Sequence, residues 1–170
     1  MVFAPTPPIW RRMRPDDIAA ISAISDTVHG EFTEAPEVLA ARLAVYSAGC
    51  FVLETPDADG GPIGYLIAHP WHRDSPPALG MVLNALPSAP ETMCLHDIAL
   101  LPDARGTGAG GRALELVEEL ARAEALPDIT LTAVNGADTY WERQGFTIEG
   151  RDVYGPGTCL MRRAAGPLPA

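Results

Sequence analysis

Apolar positions recur along this chain in two rhythms, one of three to four residues and one of continuous short runs. Ile18, Ile21, Ile24 and Val28 repeat at helical spacing, with Asp16 placed to cap the helix and Gly30 to end it. Pro36 suits the first turn of a second helix carrying Val38, Leu39, Leu43 and Tyr46, which Gly49 can stop. A short strand is expected from Ile9 to Arg14. The runs "CFVLE" and "IGYLIA" flank the turn-rich "TPDADGGP", the mark of two antiparallel strands joined by a longer loop. A Pro-rich connection follows from His69 to Glu91, and "ALGMVLNAL" inside it has the content of a short helix. Met93 to Leu101 is apolar on both faces apart from His96 and Asp97, as a central strand would be. Strict alternation would set Asp97 on the face opposite His96.

Beyond Pro102, Leu114, Val117 and Ala121 form one helical stripe beside Leu116 and Leu120, while Glu115, Glu118 and Glu119 fall on the solvated side. "ITLTAV" reads as another strand, "DTYWERQ" as a short helix ended by Gly145, and "FTIEGRDVYGPGTCLMRR" as a closing hairpin. No internal repeat or linker interrupts the series. The reading is one domain over 9–163, preceded by a Pro-rich arm over 1–8 and followed by a tail over 164–170.

Composition narrows the partners. Lys plus Arg total 12 against 22 Asp plus Glu, a net charge of -10, which argues against nucleic acid and mildly favours cationic or amine partners, though solubility alone would explain it. Cys50, Cys94 and Cys159 are odd in number and widely spaced, so neither a disulfide framework nor a metal cluster is indicated. The opening "MVFAPTPPIW" lacks the pattern of a leader, and no apolar run reaches the ~18 residues of a membrane span. A cytoplasmic protein is expected, without a membrane partner.

The stretch "RGTGAGGRA", Arg105 to Ala113, fits several phosphate-binding patterns. Gly106, Gly108 and Gly111 spell G-x-G-x-x-G. A dinucleotide fold wants that at its first strand-to-helix turn, with an acidic residue ~20 positions on. Here several elements precede the loop, and the next strand ends in Val134 and Asn135. A P-loop needs Lys and Ser or Thr where this chain has Arg112 and Ala113. What remains is R-x-x-G-x-G, carried by Arg105, Gly108 and Gly110, opening an amphipathic helix after a strand and Pro102.

With "ALLPDARGTGAG" upstream and "YWERQGF" downstream, the chain resembles the GNAT family of N-acetyltransferases over most of its length. The resemblance implies an α/β fold with a mixed, mostly antiparallel sheet of about six or seven strands flanked by about four helices. It also implies acetyl-CoA as cosubstrate, no required metal, and direct transfer to an amine-bearing small molecule or protein N-terminus; a homodimer is left open. The glycine loop suits this use. Backbone N–H groups at a helix start bind pyrophosphate, helped by the helix dipole. By resemblance, Arg105, Gly106, Thr107, Gly108, Ala109, Gly110 and Gly111 hold the phosphates, and Ile98, Ala99 and Leu100 offer backbone to the pantetheine arm. Asn135 matches a coenzyme-contacting asparagine; a helix cap is its other reading.

Two proton transfers remain. An alkylammonium with a pKa near ~10 must be neutralised before attack, and the departing thiolate gains from an acid. His96, on the strand beside the thioester, is the candidate base, a core histidine being the alternative. The family's acid is a tyrosine four residues before the "GF" glycine, where this chain has Trp141. Tyr140 stands one place earlier and is the candidate acid, or else a packed aromatic. His29, Glu31 and Glu34 fall where the family's first two helices border the acceptor, and "HPWHRD" could wall it. Trp141 leaves a second reading open, a coenzyme-A-binding module without transfer activity.

Overall fold

The structure is a computed structural model describing residues 6–56 and 60–166. Seven strands form one sheet in the order β1-β2-β3-β4-β5-β7-β6. They are β1 (Ile9–Arg12), β2 (Cys50–Glu54), β3 (Gly64–Trp71), β4 (Thr92–Leu100), β5 (Asp128–Ala133), β6 (Thr147–Arg151) and β7 (Cys159–Ala164). All neighbours run antiparallel except β4 and β5. The helices are α1 (Ile18–His29), α2 (Pro36–Val45), α3 (Ala109–Ala123) and α4 (Asp138–Arg143). This is the mixed, mostly antiparallel sheet with four helices that the sequence led us to expect. Residues 1–5 of the expected arm and 167–170 of the expected tail lie outside the described residues. β7 runs to Ala164, and the buried Ala165 donates its N–H to Pro127 O at 3.0 Å.

The helices cover both faces of the sheet. Ala113, Leu114, Val117 and Ala121 of α3 pack with Leu66, Met93, Leu95, Ile129 and Leu131. Ile21 and Ile24 of α1 and Leu39 and Leu43 of α2 pack with Val52, Tyr65, Ile67 and Ala99 on the other side. The i, i+3, i+4 stripes read from the sequence are therefore the buried faces.

Three local expectations are corrected. The start of α1 is held by Asp17 rather than Asp16: its carboxylate accepts the Arg14 N–H at 2.7 Å and pairs with Arg11 at 2.9 Å, after a 3-10 turn at Pro15–Asp17. "ALGMVLNAL" forms no helix. Its backbone is taken by buried charges instead, since Gly80 N–H donates to Glu34 Oε2 at 2.8 Å and Met81 O accepts from Arg42 at 3.1 Å. Gly80, at φ 79, adopts a backbone no helix contains. The third correction concerns β4. Its pairing with β3 slips between Ile67 and Ala68, so Ile67 faces Asp97 while Ala68 faces Leu95. His96 is the extra residue of a β-bulge. Met93 and Leu95 belong to the α3-side core and Ala99 to the α1-side core, so the alternation reverses there, and His96 and Asp97 both turn toward α1 and α2.

Gly49 ends the 3-10 turn that leads into β2, and a β-carbon on it would stand 1.9 Å from Ala68 O, a backbone atom of β3. Gly49→Ala should therefore destabilise the fold by about 2 to 3 kcal/mol, as overpacking against an immobile neighbour does. Urea unfolding would check this, and an unchanged midpoint would refute it.

Candidate active site

A cleft of about 580 Å³ opens where β4 and β5 part. The two strands pair only from Met93 to Leu95 against Ile129 to Leu131. Past that point β4 stays with β3 and β5 with β7, leaving facing strand edges with unpaired backbone groups. Ile98 and Leu100 line one wall, Thr132, Ala133 and Val134 the other, and Asn135 stands at the mouth. Ala99 points its side chain into the opposite core, which leaves only its backbone for a ligand.

The glycine loop closes one end. Arg105, Gly106, Gly108, Ala109, Gly110 and Gly111 all border the cleft. Gly106 and Gly108 have φ of 74 and 85, which side-chain-bearing residues rarely adopt. β-Carbons on Gly106, Gly108 or Gly111 would meet no atom of the described residues within 4 Å, so the glycines keep space open beside the loop. The first turn of α3 is fixed from behind by Trp10 of β1, whose indole N–H donates to Ala109 O at 3.0 Å. Thr107 is turned away: its hydroxyl donates to Ala104 O at 2.5 Å, bracing the loop. The Thr107 oxygen in turn accepts the Ala109 N–H at 3.3 Å, and the loop offers a phosphate ligand a helix start with its dipole and the clearance to approach it.

At the other end, the bulge and the α1–α2 connection bring two histidine–carboxylate pairs together. His96 Nε2–H donates to Glu34 Oε1 and His29 Nε2–H to Asp97 Oδ1, each at 2.6 Å. The Tyr65 hydroxyl donates to Asp97 Oδ2 at 2.7 Å. All four members of the two pairs border the cleft. Burial would raise the Glu34 carboxyl, but the His96 bond and charge, Arg42 at 3.7 Å and the Gly80 N–H outweigh it and hold its pKa below the usual value. Burial likewise lowers His29, yet the Asp97 bond and charge win and leave its pKa raised. The Tyr65 phenol is pushed well up by burial and by Asp97. Glu31 and residues 69–74 do not line the cleft.

Tyr140 and Trp141 divide their work by depth. Trp141 is buried against Phe146, ring centroids 5.5 Å apart, and belongs to the core. Tyr140 is exposed, borders the cleft, and its hydroxyl lies 2.9 Å from where a Gly110 β-carbon would be. Asn135 is not the cap of α4, whose N-cap is Ala137; it sits at φ 54. Sequence reasoning missed Asp97 and Tyr65 as site partners, because only the bulge turns Asp97 to the Tyr65 side.

The profile of the Acetyltransferase (GNAT) family matches residues 18–146, and the chain belongs to that family. Solved structures agree in fold. Ard1 from Thermoplasma volcanium superposes with a TM-score of 0.70 at 15% identity, over 94% of this chain and 98% of that one. Rv2747 from Mycobacterium tuberculosis, in complex with CoA and NLQ, gives 0.67 at 18% identity, over 92% and 98%. The loading GNATL domain of CurA from Lyngbya majuscula gives 0.77 at 13% identity, over 93% and 98%. Comparison by sequence with curated proteins finds no match.

Valine at position 108 would project into the open space of the loop. Gly108→Val should weaken coenzyme A at least ~10-fold, about 1.4 kcal/mol. Because Gly108 has positive φ, Gly111→Val provides the unstrained comparison and should weaken binding in the same direction. Titration calorimetry on folded variants checks both, and full affinity in both would mean that the glycines serve only the turn.

Proposed function

We propose that this domain, spanning 9–163, transfers the acetyl group of acetyl-CoA to a primary amine by direct attack within a ternary complex. The observation that carries the reading is the continuity of the cleft, from the glycine loop along two free strand edges to paired histidines and carboxylates. The loop N–H groups, with Arg105, hold the pyrophosphate. The edges at Ile98 to Leu100 and at Thr132 to Asn135 take the pantetheine arm. The cosubstrate supplies an activated thioester, and the remaining chemistry falls to the chain. A backbone N–H of β4 near Leu100 stabilises the developing oxyanion, a contribution of ~3 kcal/mol per donor.

His96 accepts the amine proton. Its Nε2–H is committed to Glu34, so Nδ1 carries the lone pair. Glu34 and Asp97 give the acceptor end a negative character that suits an ammonium on an amine-bearing small molecule or a protein N-terminus. Tyr140 returns a proton to the departing thiolate. A leaving thiol with a pKa near ~8.5 makes that help useful and not indispensable. Three cysteines that are all unpaired and buried support a reducing compartment such as the cytoplasm.

One observation favours a second base. The His29 side chain is 14% exposed against 3% for His96, and Asp97 orients it just as Glu34 orients His96. A module that only binds coenzyme A is the remaining alternative, suggested by Trp141 in the family's acid position.

Thiol release from acetyl-CoA over a panel of amines tests the reading; release no faster than buffer with every amine, alongside tight coenzyme binding, would leave only the binding module. In the same assay His96→Gln should lower turnover ~100-fold or more, at the lower end of general-base effects, with coenzyme affinity retained. A larger fall in His29→Gln would move the role to His29.

Tyr140→Phe should lower turnover ~10- to 100-fold with little change in the acetyl-CoA KM, and the loss should shrink with a donor whose thiol is more acidic. A raised KM at unchanged turnover would instead assign the hydroxyl, which lies beside Gly110, to coenzyme binding.

A further inference from the structure

Behind the acceptor end of the cleft, His96 also belongs to a second cluster, whose other two members, His69 and Cys94, have no part in the proposed transfer. His69 of β3 and Cys94 of β4 are direct cross-strand partners, and His96 follows Cys94 by two positions. One potential ligand atom from each lies within 4.8 Å of the other two. Residues i and i+2 of one strand, with a paired residue of its neighbour, converge from a single sheet face, a spacing that presents three donors to one ion.

Both imidazoles are already oriented as ligands are. His69 Nδ1–H donates to Pro70 O at 3.1 Å and His96 Nε2–H to Glu34 Oε1 at 2.6 Å. A ring nitrogen tied to a carbonyl or a carboxylate is the usual outer support of a metal-bound histidine, and it leaves the other nitrogen with its lone pair outward. For His69 that nitrogen is Nε2, which is buried and has no hydrogen-bond partner among the described residues although the residue is only 2% exposed. Burial, followed by the neighbouring His96, lowers the His69 imidazole to about 3, so the ring stays neutral. Other buried polar atoms, on Arg11, Arg42 and Asp128, also lack a hydrogen-bond partner among the described residues, but His69 Nε2 stands beside two further potential ligand atoms, and a buried lone pair so placed needs an explanation.

We propose that His69, Cys94 and His96 form a binding site for a borderline-soft divalent metal ion such as Zn2+, with a fourth position left to water. Two imidazoles and a thiolate match the donor preference of zinc and cobalt, and would not suit magnesium or calcium. Binding breaks the Cys94 S–H bond and forms a sulfur–metal bond, the proton leaving to solvent, so the ion must overcome the burial that pushes this thiol up to about 12. Arg42 is the cation facing the cluster from α2, and Glu34, 3.7 Å from it, offsets its charge. A metal here takes the His96 nitrogen assigned above to the amine proton, so occupancy and transfer exclude one another.

Co2+ titration of the chelator-treated, full-length protein reads the site without any acetyl-transfer assay. One equivalent should produce a near-ultraviolet thiolate-to-cobalt charge-transfer band with visible bands of a four-coordinate ion, and one equivalent of Zn2+ should abolish both. Cys94→Ser should remove the charge-transfer band and weaken binding at least ~10-fold, whereas Cys50→Ser and Cys159→Ser should keep both. Should Cys94→Ser not fold, His69→Gln replaces it and must weaken Co2+ by the same measure. No band at one equivalent, or a band that survives Cys94→Ser, overturns the proposal.

Discussion

β4 cannot pair along its whole length with both neighbours, and the functional end of this protein follows from that constraint. It keeps β3 to its end and gives up β5 after Leu95. Unpaired backbone in a sheet interior is costly unless something else satisfies it. Here the two edges open into a cleft where a ligand backbone or water can do so. The glycine loop at the start of α3 stands where the widening gap meets a helix dipole.

The bulge at His96 is the second consequence of the same strand. By adding one residue to β4 it sets two consecutive polar side chains on one face, each beside a partner from the α1–α2 region. Glu34 is the centre of this network. Its two oxygens take His96 and the Gly80 N–H, and Arg42 stands next to them with its guanidinium on Met81 O. The connection from β3 to β4 is thus tied down by buried charge, with Tyr154 adding a bond to Pro77 O. Buried pairs of this kind contribute little net stability but are costly to break singly. Their effect here is to fix the geometry at the histidine–carboxylate end of the cleft.

The elements carried by periodicity were legible from the chain: the stripes of α1, α2 and α3, the hairpin of β2 and β3, and the glycine loop with its family resemblance. Local spacing suffices there, because an amphipathic face or a phosphate-binding turn is built from residues within ~20 positions of one another. The Ala78 to Leu86 stretch misled because its apolar content suits a helix, while distant charges at Glu34 and Arg42 claim its backbone. His96, Glu34 and His29 were legible as candidates by type and place. Their pairing was not.

By itself, then, the sequence determined the fold class, the family and the glycine-loop end of the cleft, all of which depend on short-range pattern. Only the tertiary structure decided which way Asp97 faces, that Tyr140 stands exposed at the cleft while Trp141, also on its wall, is buried in the core, and that His69 and Cys94 stand beside His96. Those outcomes turn on a one-residue slip in strand pairing and on the closing of long loops. A slip of one residue reverses every side chain beyond it, and no local propensity records where it falls.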